Sequence, residues 1–228
     1  MAARMVSVSG RLTKRFAQPK DHGGQALTWS MDRNAIRQSW DEIAETYANR
    51  RDPAGSDADL IDDLLDACPP DPLVLDVGCG DGERTLANLP PDAIGLDISR
   101  EGLLLAADRV AGGRLVQGDM ESLPLADGSV DAITAYHAVF HVPRTAQPAV
   151  YDEFYRVLDS GGTLLMTLPG GRFETVRRGW MGGSMFFSAP GKDRTLDQLR
   201  SAGFEDLRTA TVDDPLGSSS EYVFATRS

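Results

Sequence analysis

The sequence is poor in lysine, histidine and cysteine, and it has no long apolar run. A helix needs about 20 consecutive apolar residues to cross a bilayer, and no stretch approaches that, so a membrane-spanning helix is not expected. Two cysteines, Cys68 and Cys79, are too few for a disulfide framework or a cysteine-built metal site. They suit a reducing cytoplasm, with neither thiol catalytic. The only lysines are Lys14, Lys20 and Lys192, so nearly all positive charge is arginine. A net charge of −11 argues against a dedicated nucleic-acid surface, which needs a basic face. Acid-rich, lysine-poor composition fits either a salt-adapted surface or a GC-rich genome. Unfolding in dilute buffer would distinguish the first from the second.

The first thirty residues lack the apolar core of a signal peptide. They are basic: Arg4, Arg11, Lys14, Arg15 and Lys20 stand against Asp21 alone. Residues 1–30 are therefore expected to be a disordered tail, dispensable for ligand binding, with one folded domain over 31–228. A chain begun at Met31 should keep its ligand.

The spacing of Ile36, Trp40, Ile43, Ala44 and Tyr47 predicts a helix over 34–48, and Leu60, Ile61, Leu64 and Leu65 predict another over 57–67. Short apolar runs then alternate with amphipathic segments. The runs are 73–77, 93–97, 114–117, 131–136 and 162–168; helices are expected at 82–89, 99–110 and 146–158. Ser99 is a suitable N-cap for the second of these, and Gly161 a suitable stop after the third. Such alternation implies a parallel sheet covered on both faces. Near the end, Thr195 and Gln198 form a capping-box pattern, with Gly203 as the stop. The runs 207–212 and 221–227 are joined too closely for a crossover helix and should pair antiparallel.

The most informative stretch is VLDVGCGDGERT, residues 74–85. Gly78, Gly80 and Gly82 follow a buried-looking strand, where glycine permits positive φ and removes the Cβ that would block a ligand. A strand, a glycine turn and the next helix N-terminus make a nucleotide-like site at the carboxyl edge of a parallel sheet. The dinucleotide pattern G-x-G-x-x-G would require glycine at position 83, which is Glu83. An acid there repels a pyrophosphate and tolerates a cationic ligand without phosphate.

VLDVGCGDG resembles the first motif of class I S-adenosylmethionine-dependent methyltransferases of the small-molecule kind, and the resemblance covers roughly residues 31–228. It implies an α/β Rossmann-like three-layer α/β/α sandwich, with a mostly parallel seven-stranded sheet whose last strand is antiparallel. It implies S-adenosyl-L-methionine as cofactor, S-adenosyl-L-homocysteine as product and a small molecule as acceptor, without nucleic acid or membrane. In the glycine motif it assigns Asp76, Gly78, Cys79, Gly80 and Gly82 to the cofactor. Asp97 would take the ribose hydroxyls, with Ile98 beside it, and Asp119 and Met120 the adenine. Ala135 would offer backbone to the methionine end. WDEIAETYANRR resembles the family's lid, so 34–67 becomes a helical lid and Tyr47 faces the sulfonium, an attraction of the cation–π kind. Arg50 or Arg51 could meet the cofactor carboxylate.

Methyl transfer is a displacement at carbon that releases a neutral thioether, so only a protonated nucleophile needs a base. AYHAVFH, residues 135–141, follows the fourth strand and places Tyr136 and His137 as the catalytic candidates; His141 is read as structural. Residues 171–191 are glycine-hinged and aromatic, which suits a mobile cover over the acceptor. There, Arg172, Arg177 and Arg178 could meet an anionic acceptor, and Trp180, Met185, Phe186 and Phe187 could form an apolar wall.

Overall fold

The computed structural model describes residues 32–51, 58–213 and 219–228. The basic tail expected over 1–30 lies outside these residues. None of the described helices is long and apolar enough to cross a membrane.

Two helices come first, α1 (Arg33–Arg50) and α2 (Asp59–Asp66). Then β1 (Val74–Val77), β2 (Ile94–Asp97), α3 (Arg100–Arg109), β3 (Arg114–Gln117), β4 (Val130–Ala135), α4 (Gln147–Val157) and β5 (Leu158–Leu168) follow in turn. A hairpin of β6 (Arg172–Trp180) and β7 (Gly183–Pro190) precedes α5 (Lys192–Ser201), β8 (Phe204–Asp213) and β9 (Ser219–Arg227).

Seven strands form one sheet in the order β3-β2-β1-β4-β5-β9-β8. β1 pairs in parallel with both β2 and β4, with Leu75 opposite Ile94 and Ile133. β9 runs antiparallel to β5 and to β8, so the last strand is the reversed one. All four residues of β1 are buried, because helices cover both faces of the sheet. Its alternation divides the core. Leu75, Val77 and Ile133 pack with Phe154, Tyr151 and Phe204 on one side; Val74, Ala132 and Leu165 pack with Ile61, Leu64 and Leu103 on the other. The sheet grows outward from β1 first through β2, then through β4. That reversal opens a crevice beyond the carboxyl ends of β1 and β4, where ligands of open α/β sheets bind.

Four local expectations are corrected. The helix expected over 82–89 is a single 3-10 turn, Leu86–Asn88, because Gly82 holds a φ of +76° just before it and Pro90 and Pro91 close it. Gly161 does not stop a helix: α4 runs straight into β5, and Gly161 bends that strand at a φ of +82°. Thr195 and Gln198 make no capping box. α5 already starts at Lys192, and the Thr195 hydroxyl donates back to Gly191 O at 3.0 Å. The 171–191 segment, in which no strand was expected, is a regular hairpin. Met185 and Phe187 of β7 pack on Ile43 of α1, with Trp40, Phe140 and Trp180 around them.

Phe154 is fully buried between α4 and the sheet. Phe154→Ala is expected to cost about 3–5 kcal/mol of stability in urea unfolding; a loss below 1 kcal/mol would contradict this packing.

Candidate functional site

The crevice is a narrow slot with the glycine loop and the ends of β2 and β4 as floor and α1 as roof. After Val77 the chain turns sharply. Gly78 N and Cys79 N both donate to Leu96 O, at 2.7 and 3.2 Å, which ties the loop to β2. Gly78 has a φ of +74°, and a Cβ there would stand 2.5 Å from the Ala138 Cβ, so only glycine fits. Gly80 has a φ of +57°, and a Cβ there would meet no atom within 4 Å: its backbone faces open space in the slot wall.

Asp97 closes β2 and organises the floor. Its Oδ2 accepts from Gly80 N (2.8 Å) and its Oδ1 from Ser99 N (2.7 Å). Ser99 caps α3, accepting from Gly102 N at 3.0 Å, and its hydroxyl donates to Asp41 Oδ1 of α1 at 2.9 Å. Burial raises the Asp97 carboxyl to about 6, against the Ser99 and Gly80 hydrogen bonds that lower it. Asp76 is likewise raised to about 6 by burial, while Thr85 and Thr134 donate to its two oxygens.

Three polar anchors hold the roof. At its start, Arg33 makes a bidentate pair with Asp119 (2.7 and 2.6 Å) and reaches Glu121 at 3.0 Å. In its middle, Asp41 meets Ser99 as above and Glu101 N at 3.3 Å. Just past its end, Arg51 pairs with Asp81 at 2.6 Å, and Arg109 pairs with the other Asp81 oxygen at 2.8 Å. Between the anchors, Ile36, Trp40, Ala44, Tyr47 and Ala48 line the slot from one helical face. Tyr47 packs on Trp40 and Trp180, at 5.3 and 5.7 Å between ring centroids, and the Arg51 guanidinium lies 5.4 Å from its ring.

At the far end of the slot, Tyr136 and His137 follow β4. His137 holds a φ of +52°, its N–H donates to Thr167 Oγ1 (2.9 Å), and its Nε2 lies 3.4 Å from the Tyr222 hydroxyl. Among the described residues, His137 is shared between the slot and a second, open cleft of about 620 Å³. That cleft is bounded by Phe140, Thr167, Phe173 and the Ser219–Glu221 end of β9. His141 is buried beside Trp40 and Phe187, and burial lowers its ring to about 4. Its Nδ1 donates to Phe186 O at 2.8 Å, because a carbonyl can only accept.

Residues 75–166 match a family described as a methyltransferase domain. Over those residues the chain carries a methyltransferase domain, and the glycine motif within it resembles that of class I S-adenosylmethionine-dependent enzymes. It is 34% identical over 110 residues to a malonyl-[acyl-carrier protein] O-methyltransferase of Pectobacterium atrosepticum; the match takes in 47% of this chain and 43% of that relative. The chain thus spans less than half of that relative's length. Its fold is similar to that of the magnesium protoporphyrin IX methyltransferase of Synechocystis PCC 6803 solved with bound cofactor, at a TM-score of 0.68 and 18% identity, over 89% of this chain and 100% of the other. It is also similar to the [4+2]-cyclase SpnF, at a TM-score of 0.64 and 20% identity, over 85% and 95%.

Eight of the expected residues line the slot: Tyr47, Gly78, Gly80, Asp97, Ile98, Met120, Tyr136 and His137. Five do not. Asp76 lies beneath the loop on Thr85 and Thr134. Cys79 points into the core, where burial pushes its thiol well up, and Gly82 packs against Val110. Ala135 is buried among core side chains. Asp119 is taken up by Arg33. Glu83, set against a pyrophosphate on sequence grounds, pairs with Arg109 at 2.8 Å and is also outside the lining; the slot's own acid there is Asp81. The aromatic wall expected of Trp180, Met185, Phe186 and Phe187 stands behind α1, outside both openings. The roof residues Arg33 and Arg51 follow the same face as Ile36 and Tyr47, so extending that stripe by three or four residues at each end reaches both.

Asp97 fixes a pH dependence. Between the ordinary 3.8 and about 6 the folded state holds more protons on Asp97 and Asp76 than the unfolded chain, so these two groups oppose folding increasingly as pH rises through that window. Ligand hydroxyls that donate to Asp97 need it ionised. Affinity for S-adenosylhomocysteine, measured by calorimetry, is expected to fall as pH drops below about 6. An affinity flat from pH 8 to 5 would exclude this role.

Proposed function

We propose that the protein moves a methyl group from S-adenosylmethionine to a small-molecule acceptor by in-line displacement, in the cytoplasm. The observation that carries this is the meeting of two openings at His137: an enclosed slot with an acidic, aromatic lining, and an open cleft that a second molecule can enter. The slot suits the cofactor. Asp97 would accept from the ribose hydroxyls, Met120 would cover the adenine, and the Gly78–Gly80 backbone would run beside the methionine part. Tyr47 would turn its ring toward the sulfonium, and Arg51 would lie near the carboxylate. Asp119 would serve the adenine through its pair with Arg33. The cofactor supplies the electrophilic methyl. The chain's part is to hold the acceptor atom in line and keep water out, with α1 as the roof.

The acceptor would sit in the cleft, with Phe140 and Phe173 against its apolar parts and Thr167, Ser219 and Ser220 toward its polar groups. His137 would take the proton of a hydroxyl or amine acceptor, oriented by Tyr222. The named relatives include an acyl-carrier-bound and a porphyrin acceptor, which supports methyl transfer and leaves the acceptor atom open. The similarity to a cyclase supports a second reading, in which the slot holds the cofactor and the cleft hosts other chemistry.

Release of S-adenosylhomocysteine during an acceptor screen separates the two. His137→Ala is expected to lower kcat by about 10²-fold or more with the KM for S-adenosylmethionine little changed. A variant with normal kcat would remove His137 from the chemistry. Product formation without S-adenosylhomocysteine release would favour the second reading.

A further inference from the structure

The hairpin leaves one strand uncovered. Among the described residues β6 pairs only with β7, and every residue from Arg172 to Gly179 is exposed. Of the three exposed large apolar side chains among the described residues, two lie on it, Phe173 and Val176. An open edge carrying apolar side chains is a template for another strand. Its charges show which strand. Alternation puts Arg172, Glu174, Val176 and Arg178 on one face, and Phe173, Thr175 and Arg177 on the other. Arg177 is held over the Phe187 ring at 4.8 Å. Arg172 and Arg178 have no ion-pair partner among the described residues. Glu174 uses only Oε2 in its contacts with Ser188 (3.0 Å) and Arg144 (3.7 Å).

We propose that β6 pairs antiparallel with β6 of a second copy of this chain, extending the hairpin into a four-stranded sheet across a two-fold axis. A two-fold axis normal to the sheet keeps each face on its own side, so the register must centre on a residue. Centred on Thr175, Arg172 stands against Arg178 of the second copy, and like charges meet twice. Centred on Arg177, Val176 stands against Arg178 and Glu174 against Trp180. Centred on Val176, Glu174 stands against Arg178 of the second copy, the same pair recurs by symmetry, and the two Val176 side chains meet at the axis. Of the three registers that align most of the strand, only this last matches opposite charges across the seam. Glu174, in the middle of the strand, would repel an acidic strand from another protein, and it completes a pattern complementary to itself.

The test is the mass in solution of the full chain and of charge-swapped variants, by sedimentation equilibrium, with circular dichroism as the folding control. Wild type is expected at twice the 24.6 kDa of the chain, dissociating on dilution. Arg178→Glu and Glu174→Arg should each weaken the dimer by about tenfold or more, and their combination should restore it. Arg177→Glu, on the other face opposite Thr175, should leave it intact. A wild type that stays monomeric overturns the proposal. So does a dimer that persists in both single variants, or a well-folded double variant that remains monomeric.

Discussion

One buried carboxylate joins the floor of the slot to the middle of its roof. Asp97 accepts from Gly80 on one oxygen and from Ser99 on the other, and Ser99 reaches across to Asp41 in the roof. A single hydrogen-bonded line thus runs from the glycine loop through the end of β2 and the start of α3 to α1. Burying a carboxylate is unfavourable unless its lone pairs are met, and here backbone N–H groups meet them. The cost that remains shows in the raised titration of Asp97 and its neighbour Asp76. Asp97 lines the slot itself, and Asp76 lies just beneath the glycine loop on Thr85 and Thr134.

The roof depends on the same logic. α1 has an apolar face, but apolar burial alone would let a helix slide or lift. Arg33, Asp41 and Arg51 pin it at the start, middle and end, and each pins it to a residue of the loops that build the floor. On the outer side, Ile43 and Trp40 pack against Met185, Phe187 and Trp180, so the β6–β7 hairpin braces the roof from behind. The same hairpin brings Phe173 to the open cleft. Closure over the slot and the wall of the cleft therefore share one element.

Much of this was legible in the sequence. Each core strand was visible as a short apolar run, because strands buried on both faces need no polar alternation. The glycine loop and the Asp97–Ser99 pair stand in the sequence as local motifs. What could not be read was long-range. Arg33 and Asp119 are 86 positions apart, and nothing local marks either as the other's partner. Asp119 therefore reads as a ligand residue and is found holding the roof. The hairpin was hidden for the opposite reason. β6 is exposed on both faces and β7 buried on both, so neither shows the alternation that marks a half-buried strand. Its glycines and aromatics then suggest a loose cover where the structure has a brace.

The central claim is that the slot closed by α1 and anchored on Asp97 holds the cofactor. Calorimetric titration of wild type and Asp97→Ala with S-adenosylhomocysteine, with NAD as the comparison ligand, tests it most directly. The account predicts micromolar-range binding to wild type, at least about tenfold weaker binding to the variant at unchanged fold, and none of NAD. Equal affinity in the two proteins, or binding of NAD alone, would contradict it.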